Sequence, residues 1–342
     1  MNNIFRKEKG MKKLSFILIL LISTLGLALA AGAEAKISIR LGHIRDTNHP
    51  THMAALKFKD MVSQKSGGRI EIKVFPNSQL GGPKEMFAQM QTGDLEMVYG
   101  GINTFAWIKG GEAYEITAIP FLFRDYAHMS KALLSAFFRP IQEKAEQDTG
   151  IKVVTINGDT APRGLSTRDK PVYKADDFKG LKIRTAASPT VLTAMKTLGA
   201  LPQQIPFSEL YMALKTGIVD AQENGAIVVQ SASLFEVQKY YMKTDYIRDI
   251  ETFYMAVPFW KKLSKKDQEM IFDAAEKAGN YETELTQKQL TTVYNFLRTK
   301  MTVITPPQLD LDSIRKKLEG AFDSFEGTKW PAGLIKKISA LK

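Results

Sequence analysis

From Ile37 onward, runs with a two-residue apolar period alternate with runs that carry a helical one, and nothing else in the chain constrains the fold as tightly. Ile37, Ile39 and Leu41 alternate with polar residues and predict a strand. Pro50 then opens a helix whose apolar face carries Ala54, Phe58 and Met61. Gly67-Gly68 breaks it, and Ile70, Ile72 and Val74 alternate as a second strand. A helix from Pro83 to near Gly93 precedes a third strand over Leu95 to Tyr99. After a helical stretch over 126–149, Ile151 to Ile156 and Leu181 to Arg184 read as buried strands. Ser188-Pro189 supplies the cap and first turn of a helix carrying Val191, Leu192, Met195 and Leu198. A short helix after Phe207-Ser208 ends at Gly217, and a strand over Ile218 to Ala221 leads into Gln222-Glu223-Asn224-Gly225. Ser264-x-x-Asp267 starts a long C-terminal helical region with no proline before Pro306. Strand and helix in alternation predict an α/β protein with a mostly parallel sheet and helical crossovers.

Ahead of this pattern, Arg6, Lys7, Lys9, Lys12 and Lys13 precede an apolar run from Leu14 to Ala31, and Ala28 to Ala33 is almost all small residues. A basic flank, an apolar segment and an A-x-A exit predict a cleaved secretory signal over 1–35 and a periplasmic protein. An uncleaved anchor is the alternative, since the run is about the minimum that spans a bilayer. Without cysteine the chain has no disulfide, no thiol chemistry and no lipid anchor at a processed cysteine. Beyond residue 35 there remain 42 basic and 34 acidic residues, a net charge of +8. They are scattered, with no basic run interleaved with aromatics, which argues against nucleic acid as a partner.

Searches for catalytic machinery return nothing. No phosphate loop, G-x-S-x-G or dinucleotide fingerprint occurs, and Gly81-Gly82-Pro83 reads as a helix entry. His49 and His52, with Asp46, have the spacing of part of a metal site, but they straddle a helix start and lack a further ligand. Surface histidines are the simpler reading, and no metal or cofactor is expected.

The positive signal is an arginine at the end of a buried strand, in Gly180-Leu181-Lys182-Ile183-Arg184. Ligands of open α/β sheets bind at the C-terminal strand edge. A guanidinium there can hold a carboxylate through two parallel hydrogen bonds. Arg163 follows Ile151–Ile156 in the same way. Taken alone, each arginine is more often a solvated or structurally paired charge than a ligand-binding one.

Three separated stretches carry a resemblance. They are Phe75 to Gly82 with Met90 to Met97, then Gly180 to Arg184 with Leu198-Gly199-Ala200 and Phe207 to Asn224, then Gln238 to Asp245. In this order they resemble the substrate-binding proteins of TRAP transporters, the DctP-type extracytoplasmic solute receptors. The resemblance runs along nearly the whole chain after the signal. It implies a periplasmic-binding-protein fold of two α/β lobes with a ligand cleft between them and a long C-terminal helix. Lobe I would comprise 36–160 plus 249–288, and lobe II 161–248 plus 289–342. It also implies closure around a small organic acid, a monomer, and the membrane subunits of a TRAP transporter as partner.

On this resemblance Arg184 is the carboxylate-binding arginine, Arg163 its assistant, Asn224 the cleft asparagine and Phe207 the aromatic that packs on the ligand. Tyr99, Gly101 and Asn103 occupy the segment after the third strand, where members that recognise polyhydroxylated acids often carry a carboxylate. Tyr246 stands where a histidine is frequent. With Trp107 and Phe105 nearby, these departures favour a less polar ligand, an aromatic or branched monocarboxylate, although both aromatics equally suit the first-lobe core. An exported lyase or hydrolase acting on an organic acid remains the other reading, with Glu209, Asp220 and Glu223 as its only candidate bases.

Overall fold

The structure is a computed structural model and describes residues 36–342. The expected signal over 1–35 lies outside the described residues. The first alternation becomes strand β1 (Ile37–Gly42), with Ile39 and Leu41 fully buried. Helix α1 (Pro50–Lys65) has His49 as its N-cap, accepting the Thr51 amide, and buries Ala54, Ala55, Phe58 and Val62. The expected Met61 lies only partly inside. Strand β2 (Ile70–Phe75) follows, then helix α2 (Pro83–Thr92), which stops where Gly93 turns left-handed at φ 82°. Strand β3 (Met97–Gly101) lies two residues later than expected.

The helical stretch over 126–149 is two helices, α3 (Tyr126–Leu133) and α4 (Arg139–Thr149). Pro140 explains the break, because a proline ring clashes with the preceding helical turn and suits only a first turn. Strand β4 (Ile151–Val153) is short, and β5 (Gly158–Asp159) follows it. Next come β6 (Arg163–Thr167), β7 (Lys182–Thr185) and α5 (Pro189–Thr197), whose cap Ser188 accepts the Val191 amide. Then follow β8 (Leu201–Gln204), α6 (Leu210–Thr216), β9 (Ala221–Gly225), α7 (Ala226–Ser231) and β10 (Tyr240–Ile247). Strand β9 begins where the expected strand over 218–221 was to end, so Gln222-Glu223-Asn224 lies on the strand itself. The chain finishes with β11 (Ile250–Ala256), α8 (Val257–Trp260), α9 (Lys265–Lys300), β12 (Thr302–Ile304), α10 (Leu311–Lys317) and α11 (Leu334–Ser339).

These strands form two six-stranded sheets, one ordered β2-β1-β3-β11-β4 with β5 also on β11, the other β12-β10-β6-β9-β7-β8. The expectation of mostly parallel sheets needs correction. Strands β1 and β3 are parallel, as are β7 with β8 and β9, but β11 runs against β3, β4 and β5. Likewise β6 runs against β9 and β10. Crossing explains both exceptions. The parallel strands run toward the edge at which the sheets face each other, so a strand arriving from the other lobe starts at that edge and runs away from it.

Residues Ser38–Lys342 make one compact unit of two lobes. In the first, Phe87, Phe105, Tyr114 and Tyr254 pack ring to ring with centroids 5.0–5.5 Å apart. Each such ring contributes roughly 1.5–3 kcal/mol by burial. The second lobe packs Leu210, Leu214 and Val219 against Leu297 of α9. That helix, 36 residues long, touches α1 and β5 of one lobe and α7 and β12 of the other. The chain end returns to α3, where His128 Nε2 lies 3.0 Å from the Ile338 carbonyl oxygen. Among the described residues no helix is long and apolar enough to cross a membrane.

Candidate functional site

A cavity of about 500 Å³ opens where the two sheets present their strand edges to each other. From the first sheet, Ile44 and Arg45 follow β1, Tyr99 to Gly101 end β3, and Asn103, Thr104 and Trp107 continue from it. From the second, Arg184 sits near the end of β7 and Asn224 near the end of β9. Arg163 opens β6 rather than closing a strand. It reaches the same edge because β6 is antiparallel to β9, with Arg163 paired to Gly225. Phe207 enters from the short turn after β8, and Asp249 from the two-residue connection between β10 and β11.

Three arginines share this wall in three different states. Arg163 is paired: its Nε and Nη2 donate to the two carboxylate oxygens of Glu223 at 2.7 Å, and Nη2 also donates to the Glu223 carbonyl at 2.8 Å. Burial alone would lower the Arg163 pKa, but Glu223 outweighs it and the net direction is upward. Arg184 is the opposite case. It is 4% exposed, its Nε donates to the Ile205 carbonyl at 2.8 Å, and it has no carboxylate partner among the described residues. Burial brings it down to about 10, Arg163 and Arg45 push the same way, and only Glu223 resists. Arg45 is intermediate, with Nε and Nη2 both 3.3 Å from a single oxygen of Glu251 and the guanidinium 5.6 Å from the centre of the Phe207 ring.

Asn224 is fixed through a relay. Its Nδ2 donates to Gln222 Oε1 at 2.6 Å, Gln222 Nε2 donates to Ser166 Oγ at 2.7 Å, and Ser166 Oγ donates to Gln238 Oε1 at 3.1 Å. Tyr99 borders the cavity at the end of β3 but is 1% exposed, its ring stacked on Phe253 at 3.8 Å and its hydroxyl donating to Glu282 behind the wall. Gly101 has to be glycine, because a Cβ there would collide with the Asp249 carboxylate. Asn103 is buried with Oδ1 unpartnered, and Trp107 reaches the wall with its Nε1 buried and likewise unpartnered.

Two aromatic assignments change. Phe105 belongs to the core, among Phe87, Tyr114 and Tyr254, and not to the cavity. Tyr246 is absent from the wall as well. It lies buried behind Arg163, and its hydroxyl donates to Glu223 Oε2 at 2.6 Å. Of the two histidines expected at the surface, His49 is fully buried and His52 partly so, its Nδ1 lying 3.0 Å from Nε2 of buried His43. Among the described residues no group of His, Cys, Asp or Glu is arranged to hold a metal ion. Of the candidate bases, Asp220 is bonded to Arg168 and Glu223 to Arg163, while Glu209 is an exposed residue at the cavity rim.

Sequence reasoning missed Arg45 and Asp249. Arg45 follows the end of β1 and was open to the strand-edge argument used for Arg184. Asp249 carries no local signal, because only the crossing between sheets brings it to Gly101.

The chain matches the family described as bacterial extracellular solute-binding protein, family 7 (DctP), over residues 41–328. It is 34% identical over 258 residues to the 2,3-diketo-L-gulonate-binding periplasmic protein of Escherichia coli (strain K12), covering 75% of this chain and 77% of that one. A TRAP periplasmic solute-binding protein from Haemophilus influenzae with bound L-gulonate has a TM-score of 0.82 at 28% identity, over 90% of this chain and 100% of that one. Another from Bordetella, whose ligand density was fitted as pantoate, has a TM-score of 0.82 at 26% identity, again over 90% and 100%. This chain belongs to the DctP family of TRAP-type extracellular solute-binding proteins, which are receptors and not enzymes.

Proposed function

We propose that this chain is an exported receptor that captures a small organic acid and delivers it to the membrane subunits of a TRAP transporter. The ligand carboxylate sits on Arg184, with Arg163 and Asn224 beside it. One observation carries this: Arg184 is a buried cation at the cavity wall with, among the described residues, a carbonyl partner and no bonded carboxylate. A buried charge without its opposite is costly, and a ligand carboxylate supplies it. Phe207, Trp107, Ile44 and Pro206 give part of the wall an apolar character, beside polar groups such as Arg45, Asn103 and Asp249, and that part supports an aromatic or branched monocarboxylate. Pantoate, fitted in the Bordetella protein, is a branched acid of this kind. Tyr99, Gly101 and Asn103 form the first-lobe side, and Tyr246 acts at one remove by fixing Glu223.

The lobes are read as 36–160 plus 249–288 and 161–248 plus 289–342. In support, β1 to β5 and β11 share one sheet and all other strands the second. The bonds of the chain end to α3 qualify that division for the last residues. The receptor works as a monomer in the periplasm after loss of 1–35, and the family's extracellular description supports the location.

Mass spectrometry of small molecules released from the purified protein, followed by calorimetry with the acid found, tests this reading. A carboxylate is expected, with its affinity dependent on Arg184. A released ligand without an acid group, or full affinity in Arg184→Ala, would overturn it.

A further inference from the structure

Behind the first-lobe wall, acids outnumber bases. Glu251 accepts from Arg45 through Oε1 alone, and its Oε2 is buried without a partner. Glu282, on α9 and fully buried, accepts from Thr51 Oγ1 at 2.6 Å and from the Tyr99 hydroxyl. Asp249, 3% exposed, lies beside them in the wall itself. Against these three carboxyls stands Arg45, since the nearby Arg163 is taken up by Glu223. Three carboxylates around one guanidinium in a dry region cannot all be ionised, so the group holds protons.

Arg45 connects this group to the cavity. It lines the wall, lies over Phe207 of the other lobe, and its bonds to Glu251 are long at 3.3 Å. An arriving carboxylate competes with Glu251 for that guanidinium and adds a negative charge near the buried acids. Both effects favour the protonated acid.

We propose that Arg45 is a third ligand-engaging cation of this cavity, and that the buried Glu251–Glu282 pair behind it takes up a proton from solvent as an organic acid is captured. This rests on the reading of the cavity as an organic-acid site. The surroundings of the pair agree from every side. Glu251 is faced by Arg45 from the turn after β1, Arg163 from β6, Tyr99 from β3 and Asp249 from its own segment. Glu282 is faced by Tyr99, by Tyr126 of α3, by Arg45, by Glu251, and by Thr51 with His49 Nδ1 3.0 Å behind it. Burial keeps His49 neutral, so it adds no cation. Burial raises both carboxyls, with Glu251 raising Glu282 further and Arg45 opposing.

The test is calorimetry with pantoate, L-gulonate and benzoate between pH 6 and 8, each in phosphate and in Tris, whose ionisation heats differ. Uptake of about half a proton is expected, with affinity falling roughly three- to tenfold from pH 6 to pH 8. Glu282→Gln should flatten that profile while keeping the pH 6 affinity. Glu251→Gln, which frees Arg45, should bind at pH 8 as the unaltered protein binds at pH 6. Arg45→Gln should weaken binding and abolish the proton uptake. Should the variants fail to fold, the buffer-pair heats of the unaltered protein decide alone. Heats independent of buffer, with affinity independent of pH, would overturn this proposal and leave the acid site standing. No heat with any of the three acids at any pH would overturn both.

Discussion

The two walls of the cavity solve opposite charge problems. On the second-lobe wall, Arg163 and Arg184 share one carboxylate, Glu223, which Arg163 monopolises. The unmet charge there is positive. On the first-lobe side, Asp249, Glu251 and Glu282 share Arg45, and the surplus is acidic. On the two readings proposed above, one surface of the cavity holds the ligand and the other adjusts its charge. Arg184 can gain a partner only from outside, whereas the acids can shed charge by holding protons.

The comparison can be broken most forcefully at Glu223. Glu223→Ala leaves Arg163 buried and unpaired, and loss of one partner of a buried pair costs about 3–5 kcal/mol. Thermal or urea melts of the ligand-free variant should show that loss, and an unchanged melt would mean that Arg163 does not depend on this pairing.

Asp249 tests the other wall. Burial raises its carboxyl to about 6, against the pull of Arg163 and Arg45. Because the folded pKa lies above the unfolded one, the proton stabilises the fold fully below about pH 4, and that stability is lost as pH rises through about 6. Its size is of the order of 2–3 kcal/mol. Melting temperature of the ligand-free protein should therefore fall between pH 4 and 6, less so in Asp249→Asn. An identical slope in that variant would place the protons elsewhere.

Arg184→Lys keeps the charge and loses the planar geometry. A charge-assisted hydrogen bond is worth about 1.5–3 kcal/mol, which corresponds to roughly 10- to 150-fold weaker ligand binding. The ligand-free melt should stay near that of the unaltered protein, and calorimetry beside the melt separates capture from folding. The smallest effect belongs to Tyr246→Phe, which removes one hydrogen bond to Glu223 and should cost about 1–2 kcal/mol of stability. A larger change in affinity than in stability would bring Tyr246 closer to the ligand than its position behind Arg163 allows.

The two walls also differ in how far the sequence discloses them. Arg184 stands at a strand end, where the apolar run marks the strand and the strand edge marks the ligand side, whereas Asn224 was named through the resemblance alone, because the expected strand stopped at Ala221. Arg45 answers to the same rule at the end of β1, but it follows Ile44, and the eye is drawn to the apolar residue. The acids are hidden for a different reason. Arg45 meets Glu251 across 206 positions of sequence, and Tyr99 meets Glu282 across 183. No local pattern encodes such contacts. Alternation marked β1, β2, β3, β4 and β7 but gave no strand at β6, β10 or β11, and it could not show that β6 and β11 run against their neighbours, because direction within a sheet depends on which lobe a strand arrives from. The split between α3 and α4 was legible in Pro140, whose position at a first turn demands a break before it.

The 36-residue helix α9 has a mechanical consequence. Its length is about 54 Å at the standard rise, and it is fastened to both lobes. Near its middle, Asn157 donates to the Glu276 carbonyl at 2.7 Å and to Asn280 Oδ1 at 2.9 Å, beside Gly279. A side chain bonded into the carbonyl ladder is one of the few places where a helix bends. The helix therefore ties the two lobes together through one continuous element, with Asn157 holding it partway along its length.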